Sequence, residues 1–275
     1  MRLLCEVMEV ERSGYYRYLK GLVPLKTKTE LKLLVEVKAL AKLSRSSYGS
    51  RQMAKNLQAK GYAVGRYQAR TLMRKAGVEC KQRRRYKVTT DSRHKMPVAD
   101  NVLNREFSVT APNRVWVADI TYLWTQEGWL YLAAVLDLFS RRVVGWKLAN
   151  HMREELVEDA LKMATGRRNP APGLLHHSDR GSQYADGNYQ KALKNAGIKV
   201  SMSRRGNCWD NSVMERFFGS LKAERTDHMN YLTREEAKAD VIDYIEMFYN
   251  SQRLHSTLGY VTPLQFEKNN LFLLN

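Results

Sequence analysis

The chain has 275 residues, 44% hydrophobic and 27% charged, with a formal net charge of +18. That balance supports one substantial core with a small accessory domain and excludes a disordered or fibrous polypeptide. Three scattered cysteines, Cys5, Cys80 and Cys208, argue against a disulfide framework or a cysteine-rich zinc site. The longest apolar run, near 130–138, is broken by Tyr131 and Asp137 and falls short of the roughly 20 residues of a membrane span. With no signal-peptide pattern at the start, the expected location is the cytoplasm, beside the nucleoid, with no membrane partner.

The charge belongs to one end. Residues 1–95 carry 24 basic and 7 acidic side chains, whereas residues 96–275 carry 22 and 21. A polyanion is the partner that such a segment fits. A helical stretch is expected to end near Ser13-Gly14, and Pro24 sets residues 1–29 apart as an appendage. From Glu30, the apolar positions Leu33, Leu34, Val37, Leu40 and Ala41 recur at helical spacing; Met53, Ala54 and Leu57 mark a second helix, and Ala69, Leu72, Met73 and Ala76 a third. Residues 30–80 therefore read as a small basic helix-turn-helix domain. Its third helix turns Arg66, Gln68, Arg70, Arg74 and Lys75 largely away from the apolar stripe, toward a DNA backbone. Residues 81–111 form a basic linker, in which Arg83, Arg84 and Arg85 could follow phosphates.

After Pro112 the pattern changes to strands: VWVADITYLW, WLYLAAVLDLF and RRVVGWKLA read as three adjacent antiparallel strands. A helix from Glu154, a strand GLLHHSD, a helix around Tyr189–Ala196, a strand IKVSM and a helix from Trp209 follow. The order predicts an α/β fold, a mixed sheet with flanking helices. Residues 112–229 form this core, and residues 230–275, with the stripe Ala237, Val241, Tyr244, Ile245 and Phe248, complete it.

Asp119 falls inside an apolar strand, where an ionised carboxylate is costly without cations or donors. Asp179 ends the strand GLLHHSD, where α/β sheets place ligands. Glu215 lies in the helix DNSVMERFFGSLKAE, with Lys222 two turns along the same face; Ser212–Glu215 also matches a capping box. Three carboxylates in one place call for hard divalent cations, above all Mg²⁺ in a two-metal site, with Mn²⁺ as a substitute. Arg204, Arg205, Asn207 and Trp209 form a loop suited to DNA contact, and Arg253 is a further candidate there or a helix-terminal partner. Asp137 reads as structural. His176 and His177 point to opposite faces of their strand, so at most one reaches the site.

At WVADITYL, HHSDRGSQY and GNCWDNSVMERFFGSLKAE the chain resembles the DDE transposases and retroviral integrases, specifically the second-frame product of bacterial insertion sequences. Asp179 and Glu215 have 35 residues between them, the spacing of that group, and YNSQRLHSTLGYVTPLQFE extends the resemblance. It implies a ribonuclease H-like core, Asp119, Asp179 and Glu215 as catalytic metal ligands with Lys222 beside them, and Mg²⁺-dependent cleavage at element ends. Transfer of the freed 3′ hydroxyl into target DNA then follows. It also implies a homo-oligomer and, since no sustained heptad precedes residue 30, an upstream-frame protein or fused upstream domain as partner. Two other readings compete: a DNA-binding regulator on an inactive core, and a branched-DNA nuclease that never joins strands.

Overall fold

The computed structural model describes residues 5, 11–20, 28–81 and 97–271, and the chain divides into two compact units, residues 1–80 and 81–275. In the first, helix α1 (Arg12–Leu19) buries no residue. It begins at Arg12, after an extended Glu11, and carries Ser13-Gly14 in its first turn at a glycine cost of about 1 kcal/mol, while the expected initial stretch before it lies largely outside the described residues. Helices α2 (Lys28–Leu43), α3 (Ser50–Ala59) and α4 (Arg66–Lys75) enclose one core. Leu33, Val37 and Leu40 meet Met53, Leu57, Ala69, Leu72 and Met73 there, all buried. The turn after α3 is built on Gly61 at φ 85. Tyr62 N–H returns to Leu57 O at 3.0 Å and Gly61 N–H to Gln58 O at 2.9 Å, a helix stop that wants a left-handed residue between.

The second unit is an α/β fold of the ribonuclease H-like kind. Strands β1 (Val115–Thr125), β2 (Gly128–Asp137), β3 (Val143–Ala149), β4 (Leu175–Ser178) and β5 (Lys199–Met202) form one sheet in the order β3-β2-β1-β4-β5. The first three pair antiparallel, and β1, β4 and β5 run parallel. Helix α5 (Glu154–Arg168) crosses from the antiparallel half to the parallel half, as a parallel connection requires. It lies so close on β3 that a Cβ at Gly145 would stand 2.2 Å from Ala160 O. Together with α6 (Ser182–Ala185) and α7 (Gly187–Asn195), α5 covers one face over Trp116, Ala118, Ala133, Val135 and Val144.

The other face receives α8 (Ser212–Glu224) and α9 (Arg234–Ile242), which pack on β1. The stripe Ala237, Val241, Tyr244, Ile245 and Phe248 is buried as expected, but α9 loosens into a π-helical segment at Asp243–Tyr249. This brings Tyr249 inward as well, against Phe217 of α8 at 4.8 Å between rings. Helix α10 (Pro263–Leu271) closes the unit: Glu267 accepts from Arg168, Arg142 and Ser140. Asp137 takes the structural part expected of it, fully buried and accepting from Asn113 N–H, Phe139 N–H and Arg168.

Candidate active site

Successive residues of a strand alternate between faces. Trp116, Ala118 and Ile120 of β1 join the core under α5, so Val117 and Asp119 face the α8 side. On β4, Val117 is paired with His177, and two residues further along come Asp119, still within β1, and Asp179, just past the end of β4. The sheet thus brings together two carboxylates that lie 60 positions apart in sequence. Asp119 Oδ1 accepts Ile120 N–H at 2.8 Å and Asp179 Oδ1 accepts Gly181 N–H at 2.9 Å.

Glu215 arrives from α8. Asn211, one turn earlier on the same face, donates its side-chain amide to Ala118 O at 3.0 Å and so fastens the start of the helix to the strand that carries Asp119. No side chain caps this helix. Ser212 is already its first residue, and the capping-box use of Ser212 and Glu215 is not what the fold adopts. The electrostatics register the gathering: Asp119 is held well above the usual carboxylate range by burial and then by the charge of Asp179, with Glu215 adding to it and Lys222 opposing it. Burial also raises Glu215. Lys222 stands over the Tyr122 ring at 4.9 Å to the centroid; burial lowers its pKa, while Asp227 and Asp119 draw it back up.

The donor set is all oxygen and carries more negative charge than Lys222 balances, the chemistry of a hard divalent cation. Among the described residues no three His, Cys, Asp or Glu side chains are drawn tightly enough to enclose a metal ion as they stand.

The surroundings depart from the sequence reading in instructive ways. Arg204 already has a protein partner, although its side chain stays exposed: its backbone N–H, Nε and Nη2 all go to Asp210 at 2.9–3.0 Å. Asp210 is fully buried and also takes Arg105 and Asn101, and the Arg204 hydrogen bond leads the causes that depress its pKa. Sequence reasoning missed Asp210, although it sits between Trp209 and Asn211 in the motif that was read for Glu215. Arg205 and Trp209 are exposed.

Arg253, by contrast, is withdrawn from the surface. Its guanidinium grips Glu224 through Nε and Nη2 at 2.6–3.0 Å with the side chain 13% exposed, so of its two expected uses the pairing one is realised. His176 and His177 do part to opposite sides: the first meets Tyr189 Oη at 3.0 Å, the second Ser201 and Ser203. Burial lowers them to about 3 and about 4.

A second omission is Tyr184. Its buried hydroxyl has no hydrogen-bond partner among the described residues. Burial and then Asp119, Tyr189 and Asp179 hold its pKa well above the ordinary value. Its signal was present in HHSDRGSQY, five residues after Asp179.

In the first unit, Arg66, Gln68, Arg70 and Arg74 of α4 are exposed, and Lys75 is tied to Glu30 at 2.6 Å. The first turn of α4 holds no acidic residue and begins with Arg66, so the arginine and the helix N-terminus add their positive charge. Arg83, Arg84 and Arg85 lie outside the described residues.

Residues 109–208 and 215–271 each match the integrase core domain family, and residues 28–86 match the HTH-like domain family. A 31 kDa protein of insertion element IS600 from Shigella sonnei is 43% identical over 265 residues, 96% of this chain and 97% of that protein. The transposase InsF of insertion sequence IS3A from Escherichia coli is 38% identical over 273 residues, 98% of this chain and 95% of that one. A chain of the simian T-cell lymphotropic virus intasome, solved with a PP2A regulatory subunit, shares the fold with a TM-score of 0.50 at 18% identity, over 84% of this chain and 74% of its own.

Proposed function

We propose a function from one premise: the chain belongs to the bacterial insertion-sequence transposases built on an integrase core domain. It cleaves DNA at the ends of its element and joins the freed 3′ hydroxyl to target DNA. The observation that carries this reading is the convergence of charge on Asp119, where carboxylates from two distant segments, Asp179 and Glu215, act on one buried group.

Asp119, Asp179 and Glu215 would hold divalent ions, Mg²⁺ by the hardness of the donor set. Bound there, such ions supply the charge that activates an attacking oxygen and steadies a leaving one. The chain's own residues do the rest. Asn211 fixes the approach of α8 to β1, and with it the place of Glu215. Lys222, held by the Tyr122 ring, offers a cation to a phosphate oxygen beside the carboxylates. The wall of α5, α6 and α7 keeps water from the back of β1. The exposed row Arg66, Arg70 and Arg74 holds the DNA backbone, and two copies or more bring two ends together. Domain limits at 30–80, 112–229 and 230–275 follow the same reading, as does a requirement for the upstream-frame partner.

The test is a joining assay with labelled precut ends, target DNA and Mg²⁺, with chelator as control. Asp179→Asn should lower joining by roughly a thousandfold or more while DNA binding stays within about twofold. Undiminished joining by this variant would sink the assignment. Hydrolysis without recombinant joints would favour a nuclease, and binding without either, a regulator.

A further inference from the structure

Beside the carboxylates, on the next face of α8, lies a cavity of about 230 Å³. Ser212, Arg216 and Ser220, one helical turn apart, form one wall, and Arg141, His255 and Thr257 approach from the segments opposite. Phe217 and Tyr249 give it an apolar floor. Among the described residues no carboxylate lines it.

Arg141 is the telling member. Its Nη2 donates to Phe107 O at 2.9 Å, but its Nη1 is buried and has no hydrogen-bond partner among the described residues. A buried guanidinium edge without an acceptor is expensive. Burial and the nearby charge of Arg216 both disfavour it, Tyr249 and Asp137 offsetting them in part. The backbone at Arg141 is also left-handed, at φ 59, where glycine or asparagine would be easier. The fold thus keeps an arginine where its backbone, its burial and the charge of Arg216 oppose it. His255 feels the same field: burial, then Arg253, Arg141 and Arg216, hold it down to about 3.

We propose that this cavity is a phosphate subsite for the DNA strand, in which Arg141 Nη1 and Arg216 take one backbone phosphodiester that is not the reacting one. The fork of a guanidinium matches two phosphate oxygens, and the hydroxyls of Ser212, Ser220 and Thr257 can serve the rest. Glu215 and Arg216 are consecutive, so the catalytic face and this cavity are separated by about the width of one helix, roughly 10 Å. At about 3.4 Å of rise per nucleotide, a strand draped over α8 reaches both with two or three nucleotides between. The inference rests on the DNA-joining reading and names where the same substrate is held near the reaction point.

The experiment measures binding of a labelled element-end duplex by the full chain in the Asp179→Asn background, across a range of KCl. Arg216→Ala, on an exposed side chain, should reduce the slope of log Kd against log salt by about 1. A neutral methylphosphonate placed at each phosphate near the 3′ end in turn should reveal one position that costs the arginine-bearing protein about tenfold and costs Arg216→Ala nothing further. Arg141→Lys keeps the charge and loses the fork, and should show a partial loss at that same position.

An unchanged slope, or position effects equal in all three proteins, overturns the subsite. So does inorganic phosphate that raises the Tm of the parent but not of Arg216→Ala while DNA binding is unaffected, since the cavity would then hold a free anion. The position effect in the Asp179→Asn background, with no joining by the chain that retains Asp179, refutes the activity and leaves the subsite; joining by that chain, with an unchanged slope for Arg216→Ala, does the reverse.

Discussion

The two units handle charge in opposite ways. In the helical unit the described core holds no buried charge and the cations stand outside, in surface pairs such as Lys75 with Glu30 and Lys60 with Glu36. In the sheet unit basic and acidic residues nearly balance, yet buried groups are drawn into ion-pair networks: Arg168 with Asp137 and Glu267, Arg253 with Glu224, Arg225 with Asp240 and Asp243, and the buried Asp210 with the half-exposed Arg204 and Arg105. A surface cation acts through a field that salt screens; a buried one acts on a named partner, and its loss strands that partner. Function follows the division: the first unit offers a positive surface, the second a set of positioned charges.

The contrast breaks most visibly at Arg168. Its side chain is 14% exposed and its two partners are buried carboxylates. Arg168→Met removes the cation that bridges Asp137 and Glu267, leaving Arg142 on Glu267 alone, and should destabilise the sheet unit by about 3–5 kcal/mol, read from the urea midpoint. Lys60→Ala in the helical unit should stay within about 1 kcal/mol, since exposed pairs contribute little. If both variants lose equally, the division drawn here is wrong.

The carboxylates around Asp119 reverse the sign. Because the folded pKa of Asp119 lies above its unfolded value, the cost of its charge is absent at low pH, grows as pH rises through the unfolded value and is complete above the folded one. Asp119→Asn should therefore stabilise the protein at neutral pH in chelator, by on the order of 1 kcal/mol or more, while it abolishes joining. Unchanged or reduced stability in that variant would mean that the carboxylates are not pressed together.

His176 gives the complementary slope. Burial lowers it to about 3, so its contribution is intact above the ordinary histidine value near 6.5 and drains as pH falls toward 3. The rate is at most about 1.36 kcal/mol per pH unit. Unfolding free energy between pH 6.5 and 4 should fall less steeply in His176→Asn than in the parent; the slopes decide, whatever the absolute stabilities.

Much of this frame could be read from residues alone. The apolar and aromatic runs between polar breaks marked β1 to β3, the helical stripes placed Leu57 and Leu72 in the first core, and the apolar setting of Asp119 already asked for partners. What stayed hidden was pairing across long sequence separations. Nothing near Arg204 or Arg253 distinguishes a cation that faces DNA from one folded back on Asp210 or Glu224, since that depends on which loop closes over it. Asp210 and Tyr184 were passed over because polar residues in a loop motif look solvated until the fold buries them. Arg141 was hidden for the same reason: its unsatisfied edge exists only once Phe107 and α8 enclose it.

The smallest effect on folding is expected in α4, and there the comparison becomes most exact. Arg70→Ala removes an exposed, uncommitted-looking member of the helix surface and should shift stability by less than about 0.5 kcal/mol. It should nevertheless weaken DNA binding at low salt and flatten the salt dependence by about one phosphate contact. Lys75→Ala removes a cation already partly neutralised by Glu30, so its loss of affinity should be smaller than that of Arg70→Ala, and Glu30→Ala, which releases the lysine, should strengthen binding slightly. Equal losses for Arg70 and Lys75, with no gain from Glu30→Ala, would show that net charge alone governs this surface and that even here the pairing of individual side chains has no bearing on how DNA is held.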